Sequence, residues 1–299
     1  MNFEFPDIAD FPENEAPVRP DCGAPDFATD FDTDLAELKL GILDFLGEKE
    51  NAILDRQLAR VKQARTAYAK KSGPVIPGDG IITWKAPVNR LQAFFAEDIK
   101  RTKEIVPPDD IKSIDRATTR KDPSALKIVS DFLGVQAKSV TVHVSNPGDK
   151  HHRQQFADCK TVTRLLNLHV DPKPGIVKAI IYLSDVTLED GPFQFIRRSN
   201  EWKVDHIQRI FAWGNSVGNY LHTPEHRRVA NAFPSRFRRN AIIGRLIADD
   251  SRLGNYLLEK LTTYTSDKAN VMIFDPCYNF HRGGQCRSGQ RINLQVVLQ

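Results

Sequence analysis

The chain has 299 residues, of which 40% are hydrophobic and 27% are charged, the ordinary balance of a folded globular protein. This composition excludes collagen, a coiled coil and wholesale disorder, and no run reaches the roughly 18 apolar residues of a membrane-spanning helix. Residues 1–9 are acidic and contain Pro6, unlike a signal peptide. The four cysteines are scattered without a CxxC pair, so we expect reduced thiols in a cytoplasmic protein that has no membrane contact.

The formal net charge of +4 is unevenly distributed. Residues 1–34 contain ten acids and one base, a net charge of −9, which leaves +13 on the rest of the chain. Residues 1–32 are rich in Pro, Asp and Glu, with scattered Phe. They are predicted to form an extended acidic arm that is ordered only where a Phe finds a pocket.

Arginines are concentrated in residues 223–245, which include Arg236, Arg238 and Arg239. This segment would either bind an anionic group or form a solvated basic surface, and the second interpretation is favoured. No zinc finger, RNP motif or helix-turn-helix pattern accompanies the basic residues. A nucleic-acid partner is therefore not expected.

Helical periodicity dominates residues 33–136, which are predicted to form a helical flank. Leu54, Leu58 and Val61 begin a stripe with the spacing of one helix face, and residues 91–99 form a second. Asn89 is a candidate N-cap for the second helix. A third helix is predicted over residues 124–133.

The period changes to that of strands from residue 137, which predicts a β core over residues 137–299. No stretch has the composition of an interdomain linker, so residues 33–299 are predicted to form a single domain, mainly β with flanking helices. Helical and loop residues are inserted at about 201–265. The predicted strands cover residues 139–145, 161–170, 177–183, 192–196, 270–274 and 291–298.

His169 and Asp171 are the first candidates for chemistry. Residues i and i+2 of a strand project to the same side, so an imidazole and a carboxylate would enter one space. His281 follows an apolar strand and a turn, and two His with one Asp form the facial triad of non-haem Fe(II) sites. Arg291, ten residues later, opens the last strand with a planar fork that can bind a carboxylate through two hydrogen bonds.

The chain resembles the Fe(II)/2-oxoglutarate-dependent dioxygenases, specifically the phytanoyl-CoA dioxygenase-like branch. The resemblance lies in residues 168–171 (LHVD), 182–200 and 274–291, and it extends over about residues 139–299. It implies a double-stranded β-helix, the cupin-like jelly-roll. The family usually has Pro-Gly-Ser-His where this chain has Arg-Arg-Ser-Asn at residues 197–200, so the family's substrate contacts at that turn are not carried over.

The resemblance also implies the roles of individual residues. His169, Asp171 and His281 would bind Fe(II), and Arg291 would bind the distal carboxylate of 2-oxoglutarate, with Arg287 as a rival for that role. Tyr182 falls where the family often places an aromatic residue beside this co-substrate.

Two further residues lie at even offsets from His169 and are predicted to share its inward face. They are Thr163 and Asn167, candidates for hydrogen bonds to the co-substrate or the substrate.

The expected activity is an oxygenase reaction that uses O2 and releases succinate and CO2. The favoured reaction is hydroxylation of an unactivated C–H bond in a small molecule: an amino acid, a carboxylic acid or a biosynthetic natural-product intermediate. Three alternatives stay open: desaturation or cyclisation with the same cofactors, a non-catalytic metal-binding jelly-roll, and a nucleic-acid-modifying oxygenase. No motif specifies the substrate or the oligomeric state.

Overall fold

The computed structural model describes residues 27, 30–69, 75–105, 116–147, 165, 168–171, 173–201, 206–215, 224–238, 251–284 and 286–298. Its contacts divide the chain into two units. The helical unit comprises Met1–Ser72, Thr163–Pro174 and Glu201–Ser251, and the β unit comprises Gly73–Val162, Gly175–Asn200 and Arg252–Gln299. The helices are α1 (Phe31–Leu43), α2 (Glu48–Ala69), α3 (Asn89–Phe94), α4 (Ala96–Glu104), α5 (Pro123–Leu133), α6 (His206–Asn215), α7 (Pro224–Ala232) and α8 (Arg252–Lys260).

The helical unit is organised around the long helix α2, which contacts α1, α6 and α7. The apolar stripe predicted for this helix is confirmed, because Leu54, Leu58 and Val61 are buried. Glu50 at the start of α2 accepts hydrogen bonds from Nε and Nη2 of Arg228 in α7, at 2.8 Å from Nε. These bonds hold the pKa of the Glu50 carboxyl below its usual range.

Phe27 closes an aromatic cluster in the helical unit. Its ring centroid lies 5.1 Å from that of Phe31, and 5.3 Å from those of both Phe211 and Phe237. The side chain is buried although its backbone adopts a positive φ of 60°. The Phe27 ring is thus buried among three other aromatic rings of the helical unit.

The β unit contains nine described strands: β1 (Ile81–Trp84), β2 (Arg116–Arg120), β3 (Ala137–Ser145), β4 (Val177–Tyr182), β5 (Phe193–Ile196), β6 (Leu261–Tyr264), β7 (Val271–Phe274), β8 (His281–Gly283) and β9 (Arg291–Leu298). They form a large sheet of order β1-β7-β4-β9-β3-β2 and a small sheet of order β6-β5-β8. All pairings are antiparallel. The chain passes repeatedly between the two sheets, which confirms the mainly β, jelly-roll fold with flanking helices.

The outer face of the large sheet packs against helices α3, α4 and α5. Alternate residues of β9 (Leu294, Val296 and Leu298) lie in one core cluster with Phe95 and Val129. Helix α5 begins at the N-cap Asp122, whose carboxylate accepts a hydrogen bond from Ala125 N at 3.0 Å, and it ends at Gly134 in the left-handed conformation.

The inner face of the large sheet packs against the small sheet. Tyr182, Met272 and Phe274 lie in one cluster with Phe193 and Phe195. Sheets that face each other in this way leave an interior between their inner faces, and residues alternate along each strand between that interior and the outside.

The predicted strands at residues 139–145, 177–183, 192–196, 270–274 and 291–298 are confirmed, with small shifts of their ends. Of the strand predicted at 161–170, the structure describes residues 165 and 168–170, where His169 forms a single β-bridge. The acidic arm and the single domain over residues 33–299 stay predictions.

Other sequence predictions need correction. The flank predicted as helical over residues 33–136 also contains strands β1 and β2, and the helical insertion predicted at about 201–265 ends in strand β6. Each of these strands has five residues or fewer, which is too few for a periodic pattern to be recognised in the sequence. The stripe over residues 91–99 falls on two helices that meet at Phe95, whose backbone leaves the helical region. Asn89 is the first residue of α3, and Val88 occupies the N-cap without a side-chain bond.

Among the described residues, no helix combines the length and the apolar character needed to cross a membrane.

We expect Gly214→Ala to destabilise the helical unit. A Cβ at this position of α6 would overlap Val61 Cγ2 and lie 3.3 Å from the Gln57 carbonyl oxygen of α2. Overpacking of this kind costs about 1–3 kcal/mol, which outweighs the helix-propensity gain of about 1 kcal/mol from Gly to Ala. Chemical denaturation measures the loss. In a Val61→Ala background the same substitution should cost less, and equal costs in both backgrounds would contradict this packing.

Candidate metal centre

His169 and Asp171 lie two residues apart on a short extended segment, where His169 forms a single β-bridge. The two side chains are 33% and 20% exposed, and His169 Nε2 lies 3.5 Å from Asp171 Oδ1. As the sequence predicted for an i, i+2 pair, imidazole and carboxylate project to one side. Each therefore offers a ligand atom to the same space.

His281 is the first residue of β8, opposite Phe195 of β5. Its imidazole is buried, with the ring centroid 4.9 Å from that of Phe274 and 6.1 Å from that of Phe193. Nδ1 lies 2.9 Å from the carbonyl oxygen of Asn279. Because a carbonyl only accepts, Nδ1 carries the proton in this bond, which leaves Nε2 as the ligand atom of a neutral imidazole.

The turn before His281 is held by buried polar groups. Asn279 Nδ2 donates to the Asp275 carbonyl at 3.1 Å, and Asn279 Oδ1 accepts from Asn200 N at 3.2 Å. Asp275 Oδ2 accepts from Val75 N at 2.9 Å. Ser199 Oγ accepts from the backbone N of the residue that precedes His281, at 2.9 Å. This framework fixes the carbonyl that orients the His281 ring.

The structure brings the three predicted ligands together. His169, Asp171 and His281 each offer one ligand atom, and these atoms all lie within 4.8 Å of one another. Two imidazole nitrogens and one carboxylate oxygen at such separations can bind a single metal ion.

Arg291 is buried on the inner face of the large sheet, whereas its rival Arg287 is exposed. Arg291 Nη1 donates to the Gly284 carbonyl at 3.1 Å, and Nη2 donates to Ser145 Oγ at 3.1 Å. Gly283 leaves room for this guanidinium, since a Cβ there would lie 3.2 Å from Nη2. The structure thus places Arg291, and not Arg287, inside the β unit.

Tyr182 lies in the same interior, opposite Asn293 of β9, which in turn pairs with His143 of β3. Its hydroxyl donates to the Tyr264 carbonyl at 2.9 Å and accepts from Phe193 N at 2.6 Å. Burial raises the pKa of this phenol to about 12. The hydroxyl therefore joins β4 to strands β5 and β6 of the small sheet.

Thr163 and Asn167, the other predicted contacts, lie outside the described residues. The supporting residues Asp275, Asn279 and Ser199 were not predicted from the sequence, because polar residues in a turn have the pattern of a solvated loop. The one available signal was the Asp275-Pro276 pair directly after an apolar strand.

The basic segment 223–245 is partly described. Arg228 pairs with Glu50, the Arg236 guanidinium lies 4.5 Å above the Phe237 ring, and Arg238 Nε donates to the Phe233 carbonyl at 2.6 Å. These three arginines make contacts within the helical unit. Their contacts do not distinguish an anion-binding role of the segment from a solvated basic surface.

No family model and no curated protein matches the chain. Solved structures do match. The non-haem alpha-ketoglutarate-dependent carbocyclase SnoK from nogalamycin biosynthesis is 14% identical, with a TM-score of 0.40 over 79% of this chain and 82% of that one. EctD from S. alaskensis with 2-oxoglutarate and 5-hydroxyectoine is 12% identical, with a TM-score of 0.37 over 79% and 74%. HygX from Streptomyces hygroscopicus, with nickel and 2-oxoglutarate bound, is 12% identical, with a TM-score of 0.38 over 74% and 82%. Because these identities and TM-scores are low, the function of this chain is inferred from its own residues and not from these structures.

Two glycines offer a matched test of the His281 support. Gly78 and Gly80 both have positive φ, of 66° and 75°, so alanine at either costs about 1–2 kcal/mol of backbone strain. Only at Gly80 would a Cβ overlap the Asn279 amide, whereas nothing lies within 4 Å at Gly78. Gly80→Ala should weaken divalent metal binding at the candidate centre about tenfold and shift the His281 ring signals in NMR spectra, with Gly78→Ala close to wild type. The same affinity in both variants would contradict the role of Asn279.

Tyr182→Phe is expected to lower the free energy of unfolding by about 1–3 kcal/mol, because Phe193 N loses its buried acceptor. The folded-state pKa of Tyr182 lies above the ordinary value of 10, so the neutral phenol stabilises the fold below pH 10. That contribution is lost as the pH rises from 10 towards 12. The stability gap between wild type and variant, measured by urea denaturation, should therefore narrow over this range. A gap independent of pH would contradict the burial of the hydroxyl.

Proposed function

We propose that this chain is an Fe(II)- and 2-oxoglutarate-dependent oxygenase in which His169, Asp171 and His281 bind the iron. The observation that carries the proposal is the cluster of three ligand atoms within 4.8 Å. Two imidazoles and one carboxylate form the facial donor set of non-haem Fe(II) oxygenases, which leaves further coordination positions for co-substrate and O2.

The surroundings of the ligands fit this ion. The Asn279 carbonyl fixes the His281 tautomer with Nε2 as ligand, a support typical of metal-binding histidines. Phe193 and Phe274 flank the His281 ring and restrict water on that side. Asp171 supplies the single negative charge of the set, which suits a divalent cation.

Arg291 is proposed to bind the distal carboxylate of 2-oxoglutarate. A guanidinium has five N–H donors, and the bonds to Gly284 and Ser145 hold the fork in place without using them all. Its position on the buried inner face strengthens charge-assisted hydrogen bonds relative to an exposed arginine. Tyr182, Thr163 and Asn167 remain proposed neighbours of the co-substrate.

When bound, iron with 2-oxoglutarate and O2 would supply the oxidising chemistry, with succinate and CO2 as the co-products. We propose that the oxidised compound is a small molecule, and that the reaction is hydroxylation of an unactivated C–H bond. The residues of this chain would orient the two organic ligands and exclude water from the iron.

The proposal is tested by succinate formation from 2-oxoglutarate and Fe(II), which is expected even at a slow, substrate-free rate. Asp171→Asn should weaken Fe(II) binding at least as strongly as the loss of a supporting residue, which costs about 10- to 100-fold, because it removes the only charged ligand. Both measurements use the whole chain, with His169→Ala/Asp171→Ala as the background control. Succinate at the level of that double variant would contradict the proposal.

The two arginines make a matched pair for the co-substrate site. Arg291→Gln should weaken 2-oxoglutarate binding about 10- to 100-fold, the effect of losing charge-assisted hydrogen bonds in a buried site. Arg287→Gln removes the same charge from an exposed position and should leave the affinity near that of wild type. Isothermal titration with 2-oxoglutarate measures both, and a loss confined to Arg287→Gln would reverse the assignment.

A further inference from the structure

A second candidate site lies within the helical unit. A pocket of about 630 Å³, within the size range of small-molecule sites, opens beside α2 and is lined also by Trp213 of α6 and His226 of α7. The α2 residues that line it include Ile53, Gln57 and Arg60. They recur every three or four positions, so they belong to one stripe of the helix surface.

The pocket is positively charged. Arg56 and Arg60 are one helical turn apart and both line it. In the part of the chain that the structure describes, no carboxylate lies within ion-pair distance of either guanidinium. Burial lowers the pKa of His226 and the Arg56 charge lowers it further, while the Glu225 carboxylate acts in the opposite direction. The two arginines therefore supply the positive charge of the pocket.

Gln57 adds an unusual acceptor to this positive surface. The residue is only 3% exposed, and its Oε1 atom is buried with no hydrogen-bond partner. Buried side-chain carbonyls are nearly always bonded, so an orphaned one beside an open pocket indicates a ligand that donates to it. The backbone there is held close to α6, since a Cβ at Gly214 would lie 3.3 Å from the Gln57 carbonyl oxygen.

Apart from Gln63, the remaining walls are apolar and aromatic. Ile53 is buried, and the Trp213 ring packs edge-on against Tyr68 at a centroid distance of 6.4 Å. A flat indole beside an aliphatic side chain suits the carbon skeleton of an organic molecule better than a bare inorganic ion.

We propose that this pocket binds a small organic anion that also carries a hydroxyl or amine donor. Arg56 and Arg60 bind the anionic group, Gln57 Oε1 accepts from the donor, and Trp213 covers the carbon skeleton. The site is formed by residues of the helical unit alone, and its occupancy does not depend on iron or on 2-oxoglutarate.

The test compares L-malate with succinate, two dicarboxylates that differ by one hydroxyl. Both are titrated into the metal-free whole chain by calorimetry, with the Trp fluorescence followed in parallel. L-malate should bind about tenfold more tightly than succinate, the value of one buried hydrogen bond. Glycerol 3-phosphate is titrated in the same way, and the tighter binder of the two classes shows whether the preferred anionic group is a carboxylate or a phosphate. If neither the dicarboxylates nor the phosphate ester binds, the proposal is overturned.

Variants locate the binding. Gln57→Leu should abolish the preference for L-malate over succinate, and Arg60→Gln should weaken both ligands about tenfold. Lys49→Gln removes one exposed charge from the same helix outside the pocket and should change neither affinity. Equal losses in Arg60→Gln and Lys49→Gln would show unspecific charge attraction and overturn the proposal.

Arg291→Gln serves as the control for the proposed 2-oxoglutarate site. Retention of L-malate binding in this variant supports the pocket in the helical unit, whereas loss of binding assigns the titration to the β unit and overturns the inference. Because iron is absent from all these titrations, neither result bears on the oxygenase proposal, which is tested separately by succinate formation.

Discussion

The alternation of side chains along β9 is the constraint on which the interior of the β unit depends. Leu294, Val296 and Leu298 need the apolar contacts of the helices behind the sheet, so the intervening positions face the other way. Arg291 and Asn293 are thereby turned into the space between the sheets. A slip of one residue would place the Arg291 guanidinium in an aliphatic core, at a prohibitive cost in free energy. In addition, β9 is paired on both sides, with β3 and with β4.

A similar dependence of polar on apolar structure holds at the turn that precedes β8. Asp275, Asn279 and Ser199 are buried, and each bonds to backbone groups that would otherwise lack partners. The orientation of the His281 imidazole follows from this network, because its Nδ1 donates to a carbonyl of the same turn. The properties of the candidate metal centre are therefore distributed over more residues than its three ligands.

The sequence was sufficient for the elements with a strong pattern. The nearly continuous apolar run of β4 and the alternation of β9 predict strands, and the spacing of His169, Asp171, His281 and Arg291 predicts the candidate site. β2 was not predictable, because its sequence Arg-Ala-Thr-Thr-Arg shows no apolar alternation and it pairs with β3 alone at the edge of the sheet. The roles of residues such as Asn279 and Gln57 follow from their burial, and that burial depends on parts of the chain that are distant in sequence.

Phe27 has a consequence for how the protein can be shortened. Burial of a Phe ring is worth about 1.5–3 kcal/mol, enough to offset the strain of its left-handed backbone. Proteolytic trimming that stops before this residue keeps the ring between Phe211 and Phe237. Trimming beyond it uncovers an aromatic hollow on the helical unit, a surface on which truncated molecules would aggregate.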